Sequence, residues 1–339
     1  NKQVAGFVHR AGVHCESSAL RDIFEFYGFK FSEPMIFGLG SGLGFVYWYS
    51  KSGDMVLMPS YPFVGGRAHD LYKNLCSNLG VSVKVSKTSS KKRAYETLKD
   101  LINIDIPVMI FVDMPYLKYL GLPEQAHFGS HVIVIAGIDE DMGIVYIADA
   151  MHKGLQTATL KELEEARSST FKPFPPQNRW FTFKFPDKLT PIEVAIKNAI
   201  ATTAKTMLYP PIKNLGIKGI NHFADEIVKW PKLFPPDNAL FRQFYEISYT
   251  MMEEDGTGGG LFRYLYSKFL KEAGEMLKNE KLAELGQHYH QIGQKWTTVA
   301  KLIRETPKNV TNVHEARKIL LGIAKEESQV VSSLTRIFQ

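Results

Sequence analysis

The sequence predicts an α/β (α+β) N-terminal domain with an antiparallel sheet over residues 1–190, followed by an all-helical domain over residues 191–339. Three observations carry this. Helix and strand periodicities alternate through the first half of the chain. A proline-rich stretch between Lys172 and Pro191, with Pro173, Pro175, Pro176, Pro186 and Pro191, marks a change of composition and a boundary. Beyond it the pattern is helical throughout, with turns at Pro210-Pro211, Pro235-Pro236 and Gly256 to Gly260.

The elements follow in order. Cys15 to Tyr27 reads as a helix, because Leu20, Ile23, Phe24 and Tyr27 fall at i, i+3, i+4 and i+7, and Gly28 supplies the stop. A glycine-rich run, Gly38 to Gly44, leads into the aromatic, β-branched strand Phe45-Val46-Tyr47-Trp48-Tyr49. Asp70 to Leu79 reads as a helix closed by Gly80, and Val81 to Val85 as an alternating strand. Tyr95 to Ile102 is a short helix and Pro107 to Val112 a buried strand. His131 to Ile138 and Ile144 to Asp149 form a hairpin, and Trp180 to Phe185 one more strand. Leu261 to Leu277 opens the run of long helices at the C-terminal end.

Composition bounds the function. With 339 residues, 45% of them apolar, the chain can bury a sizeable core, and no run of about 18 apolar residues predicts a membrane span. Two cysteines, Cys15 and Cys76, make no disulfide framework and suit a reducing, cytoplasmic setting. The net charge of +6 is too modest for a nucleic-acid binder, though it suits an acidic protein partner. The basic run Lys87 to Arg93 reads as a solvated loop.

The chemistry concentrates on Cys15. A cysteine at a helix start feels the positive end of the helix dipole, which favours its thiolate. In the hairpin, a five-residue loop over Asp139 to Gly143 pairs positions that sum to 282. Ile133 then faces Asp149, and His131 is the diagonal neighbour of Asp149 on the same face, roughly 7–8 Å away. Any odd change in that sum sends the two to opposite faces. Cys15 as nucleophile, His131 as base and Asp149 as orienting acid thus form a candidate triad. Cys76, inside Leu75-Cys76-Ser77, reads as a buried hydrophobe.

These segments resemble a known family. Cys15 and its surroundings, Glu33, and the run Phe37 to Phe45 look like the N-terminal domain of the butirosin-biosynthesis acyltransferase family. The His131–Asp149 hairpin is similar to that family's and to that of C39 peptidases. Gly216 to Trp230 and Glu254 to Arg263 look like the accompanying helical domain. The chain also resembles the amide-forming enzyme of closthioamide-type thioamide peptide biosynthesis. The resemblance implies a papain-like fold with a Cys-His-Asp triad. It implies an enzyme of antibiotic or nonribosomal-peptide biosynthesis that takes an acyl or peptidyl chain from a carrier-protein phosphopantetheine thioester. The chain would pass through Cys15 to a small amine, forming an amide. No cofactor of its own is expected, because the phosphopantetheine arrives on the carrier. Papain-like enzymes carry an oxyanion-hole glutamine six residues before the cysteine. His9 stands there, so His9, His14 or backbone amides near Cys15 are the oxyanion candidates.

Further candidates touch the substrate. The Gly38–Gly44 run, with Ser41 at its centre, lacks the endings of a P-loop and the spacing of a dinucleotide fingerprint. It reads as a turn bringing backbone to the cleft, with Ser41 and Glu33 as possible contacts to substrate; Glu33 reads equally as a surface cap. The turn Gly256 to Gly260, with Arg263, reads either as a phosphate site for phosphopantetheine or as a plain helix-to-helix turn. No metal site is expected: His288 and His290 do not share a helix face. A C39-like cysteine peptidase or hydrolase is the nearest competitor, sharing the chemistry up to the acyl-enzyme. A binding module that lost catalysis is disfavoured by the retention of Cys15, His131 and Asp149.

Overall fold

The computed structural model describes residues 2–49, 62–172 and 174–338; Pro173 of the proline-rich stretch lies outside them. The chain begins with β1 (Lys2–Gln3), α1 (Cys15–Phe26), α2 (Glu33–Leu39), β2 (Leu43–Trp48), β3 (Phe63–Arg67) and α3 (Leu71–Leu79). It continues with β4 (Ser82–Ser86), α4 (Lys91–Asn103), β5 (Val108–Val112), β6 (His131–Asp139), β7 (Ile144–Ala148), β8 (Gln156–Thr159), α5 (Leu160–Ser168) and β9 (Trp180–Lys184). The rest is helical: α6 (Ile192–Leu208), α7 (Gly216–Ile227), α8 (Trp230–Leu233), α9 (Ala239–Glu253), α10 (Arg263–Leu277), α11 (Glu280–Glu305) and α12 (Asn312–Arg336). The mixed α/β class, the antiparallel sheet and the helical second half are those the sequence predicts.

Two compact units emerge. The first joins residues 1–36 to residues 80–189, and the second joins residues 37–79 to residues 190–339. One change of unit falls between Leu189 and Thr190, and the segment Phe37–Leu79 goes with the helical half. Its apolar side chains explain why. Phe45 stacks on Trp296, with ring centroids 5.5 Å apart, and Tyr47 lies against Phe223 at 5.0 Å.

Among the described residues the first unit holds a seven-stranded antiparallel sheet in the order β4-β9-β5-β6-β7-β8, with β1 added to β6. Strand β6 is buried along its whole length, which is why it reads as an unbroken apolar run. Ile110, Ile133, Ile135 and Ile147 of the sheet pack with Leu98 and Ile102 of α4 and with Leu163 and Ala166 of α5. Helix α1 buries Leu20, Ile23 and Phe24 completely. It ends at Phe26 with Tyr27 as its C-cap, and Gly28 takes φ +90, the left-handed stop its sequence predicts.

The β6–β7 hairpin departs instructively from its predicted register. Asp139 belongs to β6 and pairs with Ile144, so the connection is one residue shorter and positions near the turn sum to 283. A bulge at Ala136 then shifts the register, and Ile135 pairs with Ile147 and Val134 with Ala148, a sum of 282. The short loop breaks the parity that His131 and Asp149 need, and the bulge restores it.

Other elements were extended or missed. The basic run enters α4, which Ser90 caps by accepting from the Arg93 amide at 3.2 Å. Helix α5 carries a full capping box between Thr159 and Glu162. In the second unit, β2 and β3 form a two-stranded antiparallel ribbon. No helix among the described residues is long and apolar enough to cross a membrane.

Candidate active site

Cys15 is the first residue of α1 and is half-buried with a free thiol. The loop before it is held by buried groups on three sides. The Glu33 carboxylate accepts the amides of Val13 at 2.9 Å and His14 at 2.8 Å, and the Ser17 hydroxyl at 2.8 Å. Arg21 donates to the carbonyls of Ala11 (3.2 Å) and Arg10 and to the Asp22 carboxylate. The amide of Gly12 donates to the carbonyl of Ala150 at 2.6 Å, which ties this loop to the residue after Asp149. A side chain at position 12 would meet Ser18 Oγ at 1.8 Å and Glu33 Oε2 at 2.6 Å, so only glycine fits.

The imidazole and the acid come from the hairpin. His131 Nε2 donates to Asp149 Oδ2 at 3.0 Å, and both residues are almost wholly buried. Cys15 lies near enough to the His131 ring for its sulfur to act on the ring's charge. With Nε2 on the carboxylate, Nδ1 is the ring nitrogen left for the sulfur. Burial opposes charge on His131, but the Asp149 carboxylate and then the Cys15 sulfur push its pKa up to about 10. Burial likewise opposes charge on Asp149, but His131, followed by Tyr119, holds its carboxyl below the usual range. The fold thus brings Cys15, His131 and Asp149 together. Cys76, by contrast, is buried in α3, which pushes its thiol up to about 12 and leaves it inert.

The proposed helpers are placed differently. His9 donates from Nδ1 to Asp22 Oδ2 at 2.6 Å and from Nε2 to the carbonyls of His152 (2.9 Å) and Asp149 (3.2 Å). Burial opposes its charge, but Asp22 raises its pKa, and both nitrogens serve as donors inside the protein. His9 therefore brackets α1 to the end of β7 and has no proton to offer an oxyanion. His14 caps α1, its Nδ1 accepting from the Ser17 amide at 3.4 Å. Glu33 is buried at the start of α2, and its carboxylate is taken up by the loop before Cys15 and by Ser17.

Ser41 and Arg263 are also turned inward, within the second unit. The Ser41 hydroxyl donates to the Ala199 carbonyl at 3.1 Å, and the residue is buried. The glycines beside it serve close packing: a side chain at Gly38 would overlap the Phe269 ring, and one at Gly44 would meet the backbone of Arg67 and Ala68. Arg263 has no solvent exposure. It forks onto Glu327 at 2.7 and 3.0 Å, and its remaining nitrogen donates to the carbonyls of Gly44, Gly66 and Leu261. In the Gly256–Gly260 turn, the Gly260 amide donates to Glu253 at 2.9 Å and the Gly259 amide to Thr257 Oγ at 3.1 Å. An internal carboxylate occupies the place expected for a phosphate, which corrects the phosphate-site reading.

Tyr119 is the residue that sequence reasoning missed. Its hydroxyl donates to Asp149 Oδ2 at 2.8 Å. It sits in a short 3-10 turn, Lys118–Leu120, where nothing in the sequence distinguishes it from any aromatic anchoring a connection. Among the described residues no group of side chains could hold a metal ion.

Residues 14–150 match the family model for the N-terminal domain of butirosin biosynthesis protein H, a span that begins one residue before Cys15 and ends one after Asp149. Residues 161–334, slightly more than half of the chain, match a domain of unknown function, DUF4872. No curated protein matches the chain. The chain belongs to the DUF4872 family, and its N-terminal part is of the butirosin biosynthesis protein H type.

Proposed function

We propose that this chain is a cysteine-dependent acyltransferase that forms an amide from a carrier-bound thioester. The observation that carries the reading is the His131 ring, hydrogen-bonded through Nε2 to Asp149 and near enough to Cys15 to feel its sulfur. Such a ring stabilises the Cys15 thiolate by holding the proton beside it.

The steps balance as follows. The Cys15 sulfur attacks the thioester carbonyl, and a tetrahedral oxyanion forms at the start of α1. There the Cys15 amide, a first-turn N–H with no intrahelical acceptor, donates to it. The intermediate collapses to acyl-Cys15, and His131 protonates the departing phosphopantetheine thiolate. An amine then attacks the acyl-cysteine, His131 takes the amine's proton, and collapse releases the amide and restores the thiolate–imidazolium pair. Asp149 keeps the imidazole oriented through both halves. The carrier's phosphopantetheine is substrate, and the chain supplies no cofactor to the reaction.

The match to a biosynthesis protein favours transfer over the hydrolysis of a C39-like peptidase. Discharging preformed acyl-enzyme in the presence of amines tests the choice. Transfer predicts amide as the main product. Free acid as the only product, at every amine offered, would leave a hydrolase.

A further inference from the structure

Two side-chain donors meet at the Asp149 carboxylate. His131 Nε2 reaches Oδ2 from β6 at 3.0 Å, and the Tyr119 hydroxyl reaches the same oxygen from the 118–120 turn at 2.8 Å. Oδ1 is buried and has no hydrogen-bond partner among the described residues. The backbone carbonyl of Asp149 accepts from His9, and the backbone amide of His152 donates to it. The Tyr119 ring lies edge-on to His152 with centroids 5.4 Å apart, and it packs on the apolar core under β6 and β7. Tyr119 is therefore fixed by packing at one end and by Asp149 at the other.

We propose that Tyr119 is a positioning residue of the site: by donating to the oxygen that receives His131, it sets the plane of the Asp149 carboxylate and limits how strongly that carboxylate holds the imidazolium. This rests on the acyl-Cys15 reading above. Burial and the neighbouring Asp149 charge push the phenol's pKa far up, so Tyr119 keeps its proton and remains a donor whatever the charge on His131. The carboxylate then always carries a second donor. A site with His131 alone on Oδ2 would concentrate the negative charge on the imidazolium and make it slower to give its proton to a leaving thiolate.

The charged and titratable groups around Asp149 are His131 from β6, Tyr119 from its turn, His9 and His152 at its backbone, and Cys15 from α1 beyond His131. The test is the pH dependence of Cys15 alkylation by iodoacetamide in the full chain, with Cys15→Ala as the blank. A thiolate–imidazolium pair gives two steps, pair formation at low pH and loss of the His131 proton at high pH. Tyr119→Phe is expected to move the upper step to higher pH. It is also expected to lower kcat for acyl transfer about ten-fold at unchanged KM, less than the roughly hundred-fold cost of gross misplacement. In an Asp149→Asn background, Tyr119→Phe should add nothing, which a merely structural tyrosine would not obey. Superimposed profiles, or equal losses in both backgrounds, overturn the role of Tyr119 alone. A wild-type profile with one step in the ordinary thiol range overturns the acyl-Cys15 reading and this inference with it.

Discussion

Around Cys15, charged side chains are spent on backbone. Glu33, Arg21, Asp22 and His9 are each buried or nearly so, and together they fix residues 9–14 and the carbonyls at the end of β7. Charges held this way cost little only while every partner is present. His9 is the sharpest case. Glutamine in its place has one donating nitrogen and one accepting oxygen, and it cannot donate to Asp22 and to the carbonyls on the other side at once. His9→Gln should therefore cost about 1–3 kcal/mol of stability, the price of one unsatisfied buried group. A denaturant midpoint equal to wild type would refute the bracket. Residue type, order and strand parity singled out Cys15, His131 and Asp149 as candidates in the sequence, and the structure brings His131 and Asp149 into contact. Residue chemistry misled for Glu33, Ser41 and Arg263, whose polarity suggested ligands but whose burial turned them inward. Tyr119 was illegible because its role depends on a carboxylate thirty residues away.

The His131–Asp149 pair is set by one irregular element, the β6–β7 hairpin. Alternation alone placed His131 and Asp149 on one face, but through a loop length the chain does not have. The four-residue connection from Glu140 to Gly143 would separate them, and the extra residue at Ala136 brings them back. The bulge was invisible because a β-bulge leaves no change in the apolar run His131 to Ile138. Gly137, next to it, is the one trace. A side chain there would approach the Lys2 carbonyl at 2.7 Å and the Tyr146 ring at 3.0 Å, where β1 joins β6. Gly137→Ala should lower stability by about 1–3 kcal/mol, as overpacking does, and slow acylation of Cys15 by disturbing the register. Wild-type melting together with wild-type acylation would show that the bulge does not depend on Gly137. The capping box of α5 and the Ser90 cap of α4 lie in the sequence, but the periodicity reading passed over both and so missed α5 and began α4 four residues late.

At the scale of the whole molecule, the division into units follows packing and not chain order. The helical half was legible from periodicity, but the partnership of residues 37–79 with residues 190–339 was not, since long-range pairing leaves no local pattern. Arg263 is a hub of the second unit, joining the carbonyls of β2 and β3 to Glu327 of α12. Removing one partner of such a buried pair leaves an uncompensated charge, so Arg263→Ala should cost about 3–5 kcal/mol. Arg263→Lys should recover little, because an ammonium cannot fork onto a carboxylate and reach three carbonyls. Urea unfolding checks both, and a lysine variant as stable as wild type would deny the hub.

The central claim is that Cys15 carries the acyl group. Intact-mass spectrometry of the full chain, incubated with acyl thioesters on carrier protein and on free pantetheine, tests it most directly. The predicted result is a mass increase of one acyl group, lost in Cys15→Ala, strongly slowed in His131→Ala, and discharged on adding an amine. An adduct that persists in Cys15→Ala, or none with any thioester offered, would contradict it.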